Sequence, residues 1–106
     1  MNNIKIAGVG AYSPSLVVTN DDISKLVETN DEWIQERTGI KERRISEGED
    51  TSDFAVKSAM MALEKANIKS EELELIIVAT VSPDNFIPSV ACLVQSKLNA
   101  RKAACF

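Results

Sequence analysis

Leu73-Glu74-Leu75-Ile76-Ile77-Val78-Ala79-Thr80-Val81 is apolar at almost every position, whichever side of an extended chain is counted. Strands buried on both faces read this way, and they occur at the centre of parallel sheets. The residues before it predict what precedes such a strand. Ala55, Ala59, Ala62, Leu63 and Ala66 recur at helical spacing. Thr51 or Ser52 is placed to cap that helix, and Asp53 falls in its first turn, where the dipole favours an anion. So much alanine on one face predicts close packing against a neighbour. Beyond the strand, Ser82-Pro83-Asp84-Asn85 reads as a loop. Pro88 suits the first position of a helix running to about Leu98, with Val90, Val94 and Leu98 along one side. Ala103-Ala104-Cys105-Phe106 then opens another apolar strand, and the absence of a polar tail predicts that its domain continues beyond Phe106. Strands and helices in this order imply an α/β protein with a parallel or mixed sheet, right-handed crossovers and helices on both faces.

Towards the N-terminus, residues 3–10 read as a strand ending in Gly8-Val9-Gly10. A turn at Ser13-Pro14-Ser15 leads to a short extended piece, Leu16-Val17-Val18. Thr19-Asn20-Asp21 offers N-cap chemistry, and Ile23, Leu26 and Val27 give the following helix one apolar face. A second short helix starts at Asn30-Asp31, carries Trp33, Ile34 and Arg37, and stops at Gly39. Ile40 to Ile45 suits an exposed strand, Gly48-Glu49-Asp50 a loop, and Ser70-Glu71-Glu72 a turn or single helical turn. No repeat, linker or low-complexity stretch interrupts the 106 residues.

Composition narrows the function. Twelve basic against sixteen acidic side chains give a net charge of −4, and no basic run suggests a nucleic-acid surface. There is no histidine, so these residues alone cannot build a Ser–His or Cys–His pair. Cys92 and Cys105 are too few for a zinc site or a disulfide scaffold, which predicts free thiols in a reducing compartment. The first residues lack the apolar centre of a signal peptide, and Leu75–Ala79 is far short of a bilayer span, so a soluble, cytoplasmic protein is expected.

Four motifs could carry chemistry. Gly8-Val9-Gly10 after a strand invites a dinucleotide fingerprint, but the third glycine position holds Ser13 and Pro14 blocks the helix start. Close passage of the backbone by a neighbour explains the glycines better. Trp33 and Arg37, four apart on a helix, share a face and could sandwich a flat heterocycle. A half-buried tryptophan beside a solvated arginine is the commoner arrangement of such a pair. Lys41-Glu42-Arg43-Arg44 is either a solvated strand edge or a weak anion-binding rim near that face. Cys105, in an apolar strand without a histidine, is expected to be a buried, inert thiol, and Cys92 plain core.

Thr29-Asn30-Asp31-Glu32-Trp33-Ile34-Gln35-Glu36-Arg37-Thr38-Gly39-Ile40-Lys41-Glu42-Arg43 closely resembles the signature segment of the β-ketoacyl-acyl carrier protein synthase III family. The resemblance includes Ile6 to Pro14, and resumes at Ile77-Val78-Ala79-Thr80, Pro88-Ser89-Val90-Ala91-Cys92 and Gln95-Ser96-Lys97-Leu98. It covers essentially the whole chain.

The resemblance implies a thiolase-like fold, with residues 1–106 as the N-terminal part of its first half, in a homodimer. It implies an acyltransferase that loads a short acyl group, such as acetyl, from coenzyme A onto a cysteine. That group is then condensed with malonyl-acyl carrier protein to initiate fatty acid biosynthesis. The thioester is a substrate, and no further cofactor, metal, nucleic acid or membrane is implied. Trp33 and Arg37 match the residues that hold the adenine end of coenzyme A, which favours the stacking reading, and Thr29 lies beside the same site. Phe86 and Ile87 match the segment that reaches the partner subunit and shapes its acyl pocket. Phe106 aligns with an aromatic that precedes the nucleophile, so the reactive cysteine, and the family's histidine and asparagine, are expected beyond Phe106. The resemblance leaves two other readings: a related condensing enzyme of secondary metabolism, or a coenzyme A-binding module without catalysis.

Overall fold

Thr19 ends one element and starts the next. In the computed structural model, which describes residues 3–106, strand β1 (Leu16–Thr19) runs directly into helix α1 (Asn20–Ser24). The Thr19 hydroxyl accepts from the Asp22 amide at 3.2 Å, and the Asp22 carboxylate accepts from the Thr19 amide at 3.1 Å. This reciprocal box satisfies two donors that the helix start would otherwise leave bare. Helix α2 (Asp31–Thr38) is capped in the expected way. The Asn30 side chain accepts from the Trp33 amide at 2.8 Å, and Gly39 closes the helix at φ 71°, in the left-handed region. The chain then returns as β2 (Glu42–Ile45), antiparallel to β1, with Leu16 opposite Ile45 and Thr19 opposite Glu42. Residues 13–48 make up one compact unit. Within it, Ile34 and Asn20 are buried.

Residues 3–12 and 49–106 make up a second unit. Its elements are α3 (Thr51–Ala66), a single 3-10 turn at Ser70–Glu72, β3 (Leu75–Ile76), α4 (Val90–Leu98) and β4 (Ala104–Cys105). The core consists of Val90, Val94, Leu98, Ala100 and Ala103, with Ala55, Val56 and Ala59 of α3 and Leu73, Ile76 and Val78 packed on it. Sheet and helix periodicity both fit this core. Val90, Val94 and Leu98 fall on one helical face, and Ile76 and Val78 alternate with the exposed Leu75 and Ile77. Strands β3 and β4 pair in parallel, as expected, and the ladder runs on through Val78 N–H to the Phe106 carbonyl at 2.9 Å. The expected strand over 73–81 is therefore paired only along its first part, because its partner supplies residues 104–106. Helix α4 packs on this pair, and the other face is open among the described residues.

The expected strand over 3–10 forms no ladder among the described residues. Its backbone runs along α3 instead, which explains both glycines. A Cβ on Gly8 would stand 2.4 Å from the Ala62 carbonyl oxygen, and one on Gly10 would stand 2.1 Å from the Ser58 carbonyl oxygen. Neither distance is compatible with a side chain, so close backbone approach, and not a phosphate cradle, is what these glycines serve. Tyr12 fastens the end of this segment. Its hydroxyl donates to Glu49 at 2.7 Å, Lys57 donates to both, and the Phe54 ring lies 5.6 Å away.

Two expected helix starts are corrected. Asp50, not Thr51 or Ser52, is the N-cap of α3. The Thr51 hydroxyl donates instead to the Ser82 carbonyl at 2.6 Å, and the Ser52 amide to Asp84 at 2.9 Å. Helix α4 starts at Val90 with Ser89 as N-cap, so Pro88 precedes the helix, joined to Ile87 by a cis peptide bond.

Candidate functional site

Helix α2 places Trp33 and Arg37 one turn apart, and the guanidinium carbon lies 4.8 Å from the indole centroid. This is a cation–π contact, and it occupies one part of a ring that is still 52% exposed. A flat ligand between the two would need about 7 Å, or two ordinary contact distances, so they do not form an open sandwich. A cleft of about 530 Å³ is lined by Trp33 together with Ile23, Val27, Glu28, Thr29, Asn30 and Ile34, and Arg37 is not in its wall. Apolar walls with a few convergent polar groups are the usual make-up of a small-molecule site.

Thr29 lines that cleft as well. Its hydroxyl oxygen is shielded from solvent yet has no hydrogen-bond partner among the described residues. A hidden hydroxyl left bare is costly, and a ligand in the cleft reaches it only if its surroundings shift. Trp33, Thr29 and, through Trp33, Arg37 are thus brought together on a single cleft.

Of the two readings of Lys41-Glu42-Arg43-Arg44, the structure fits the solvated strand edge, since β2 is exposed at every position but Arg43. Arg43 is half-buried and donates to the Asn20 side chain at 2.7 Å, and Arg44 pairs with Glu42 at 3.2 Å. Asn20, which the sequence did not single out, is buried and also donates to Asp31 at 2.8 Å and to the Ile40 carbonyl at 2.7 Å. Hydrogen bonds from Asn20 and then Gln35 hold the Asp31 carboxyl below its ordinary value.

Phe86 and Ile87 belong to the other unit, on the loop before α4, at 98% and 89% exposure. Their loop is tied at its start by the bonds from Thr51 and Ser52 to Ser82 and Asp84. Burial alone would raise the Asp84 carboxyl, but hydrogen bonds from Ser52 outweigh it and hold the group low. Lys97 donates to the Ser52 hydroxyl at 2.6 Å and to Asp53 at 2.7 Å, joining α4 to the same corner. Burial, and then neighbouring Cys92, push the Cys105 thiol up. That is the reverse of what a nucleophile needs, in keeping with the inert thiol expected of it. No helix among the described residues is long and apolar enough to cross a membrane.

No family model matches the chain. Individual relatives do. The chain is 73% identical over all 106 residues to a β-ketoacyl-acyl carrier protein synthase III of Clostridium beijerinckii, covering 33% of that protein. Among solved structures it is similar to the 3-oxoacyl-acyl carrier protein synthase III of Aquifex aeolicus, at 51% identity and a TM-score of 0.93. That match covers 96% of this chain and 33% of the other. It is also similar to the priming β-ketosynthase of the R1128 polyketide pathway, at 32% identity and a TM-score of 0.91, covering 96% of this chain and 31% of the other. The α/β fold is that of part of a thiolase-like domain. By sequence the 106 residues are similar to proteins named β-ketoacyl-acyl carrier protein synthase III, and they span about a third of the length of the relatives they match.

Proposed function

We propose that residues 1–106 are the N-terminal part of the first thiolase-like half of a β-ketoacyl-acyl carrier protein synthase III. The observation that carries this reading is 73% identity over the whole chain to a protein of that name. In this reaction the acyl group passes from the coenzyme A sulfur to a cysteine thiolate, and free coenzyme A leaves. Malonyl-acyl carrier protein then loses carbon dioxide, and the resulting carbanion attacks the acyl-cysteine. The new carbon–carbon bond frees the cysteine and leaves a β-ketoacyl chain on the carrier.

The part assigned to these residues is binding and orientation. Trp33 offers an indole face to the adenine, Thr29 a shielded hydroxyl, and Arg37 a charge that also steadies the indole. The nucleophilic cysteine, the histidine and the asparagine are assigned beyond Phe106, and the acyl pocket contact to Phe86 and Ile87 across a homodimer. Acetyl-coenzyme A and malonyl-acyl carrier protein are the substrates proposed, the coenzyme A thioester needing no further cofactor, and the setting is cytoplasmic.

The likeness to the R1128 priming enzyme supports a second reading, a condensing enzyme of secondary metabolism. At 32% against 73% identity it is the weaker of the two. The assay is acyl condensation by the complete enzyme that contains this chain, with labelled acetyl-coenzyme A and malonyl-acyl carrier protein. One carbon dioxide released per β-ketoacyl product is expected. Label that stays on coenzyme A would overturn the reading in favour of a binding module.

A further inference from the structure

Asn20 is a buried polar side chain of the unit that carries the cleft, and its amide makes three hydrogen bonds. It is 1% exposed, and three elements converge on it. Its amide nitrogen donates to the carboxylate of Asp31, the first residue of α2, and to the carbonyl of Ile40, just past the end of α2. Its amide oxygen accepts from Arg43 on β2, and its own backbone N–H reaches the Lys41 carbonyl at 3.3 Å. The orientation of the amide is dictated by chemistry. Turned over, it would set its oxygen against a carboxylate and a carbonyl, and its hydrogens against a guanidinium.

Asp31 and Ile40 bracket Trp33 and Arg37 in the chain. A single buried side chain therefore holds both ends of the helix that presents the indole. We propose that Asn20 is a positioning residue for the coenzyme A site, fixing where α2 holds Trp33 against the cleft. This rests on the coenzyme A reading of the site given above. Asn20 touches no ligand in this role and acts through Asp31, Ile40 and Arg43. A stiff helix moved at either end carries its side chains with it, and displacements of about 1 Å are enough to weaken a positioned contact severely.

Asn20→Asp keeps the shape and removes both donors, while leaving an acceptor for Arg43. Asn20→Asp with Asp31→Asn returns a donor to the joint from the opposite side. Both are made in the complete enzyme beside Trp33→Ala, and initial rates are followed against acetyl-coenzyme A at saturating malonyl-acyl carrier protein. The expected result for Asn20→Asp is a KM for acetyl-coenzyme A raised about tenfold, roughly what one lost hydrogen bond to a charged group is worth, with kcat within about twofold. The double variant is expected to recover most of that rise. Should Asn20→Asp not accumulate as folded protein, Arg43→Gln disturbs the same joint from its half-buried side and is expected to raise KM about threefold. An unchanged KM in the Asn20 and Arg43 variants while Trp33→Ala raises it would overturn the role of Asn20 and leave the coenzyme A reading standing. A fall in kcat or melting temperature alone would mark Asn20 as merely structural and overturn the proposal. An unchanged KM in Trp33→Ala would overturn the coenzyme A reading itself.

Discussion

The guanidinium carbon of Arg37 lies 4.8 Å from the centre of the Trp33 ring, while the ring's cleft-lining side is bounded by Thr29 and not by Arg37. Arginine here buttresses the indole without entering the wall of the cleft. In the complete enzyme, Arg37→Lys keeps the charge but loses the flat stacking surface, and a rise of about threefold in KM for acetyl-coenzyme A is expected. Arg37→Gln removes both and should raise it about tenfold. Initial-rate kinetics separate the two effects. Unchanged values in both variants would remove Arg37 from the site.

Gly10 is the most crowded of the four glycines. A Cβ there meets the Ser58 carbonyl oxygen at 2.1 Å and the Ala62 amide nitrogen at 2.7 Å, both backbone atoms that cannot swing away. Gly10→Ala should cost at least about 3 kcal/mol, the upper part of the usual overpacking range. Gly39→Ala is the control, with nothing within 4 Å and only the left-handed φ of 71° to strain it. It should cost about 1 kcal/mol. Denaturant titration of the complete enzyme ranks the pair, and equal costs would refute close packing of residues 8–10 on α3.

Acid should weaken the fold through its low carboxyls. Asp31 is held below its ordinary 3.8 by Asn20 and Gln35, and Asp53 by Lys97 and then the Asp50 backbone. A folded-state value below the unfolded one adds stability that is present above the unfolded value and disappears as pH falls through the folded one. Lys57 and Lys97 have the opposite sign, being raised above 10.5 chiefly by Glu49 and Asp53. Their contribution is present below 10.5 and disappears as pH climbs through the raised value. Melting temperature should therefore be level through neutral pH and fall below about pH 4 and above about pH 10. Asp31→Asn should flatten the acid limb. A limb unchanged in that variant would mean that Asp31 adds nothing to it.

The loop bearing Phe86 and Ile87 is secured at Asp84, which accepts from the Ser52 amide at 2.9 Å. Asp84→Ala frees that attachment and exposes a helix-start amide. Relative rates with acetyl- and hexanoyl-coenzyme A should draw together about threefold, with KM for acetyl-coenzyme A unchanged, since Trp33 is untouched. A selectivity ratio equal to that of the unaltered enzyme would sever Asp84 from acyl choice.

Local signals in the sequence carried most of the secondary structure. Asn30, Gly39 and the alanine stripe of α3 each encode a local geometry, and each formed as read; Thr19 caps a helix as read, but α1 ends at Ser24 and leaves Leu26 and Val27 outside it, exposed. Two further failures depended on partners distant in the chain. Residues 3–10 have strand composition, but α3 lies where a neighbouring strand was expected. Thr51 and Ser52 have cap chemistry, but Ser82 and Asp84 compete for them. At the site, Trp33 and Arg37 were legible from spacing, and Thr29 from resemblance alone. Asn20 was not legible as more than cap chemistry, because its partners at 31, 40 and 43 become neighbours only once β2 returns to β1.

The central claim is that Trp33 holds coenzyme A, and steady-state titration of the complete enzyme with acetyl-coenzyme A tests it most directly. Trp33→Ala is predicted to raise KM about tenfold, the worth of one lost aromatic stacking contact, with kcat within about twofold. A KM equal to that of the unaltered enzyme would contradict the account.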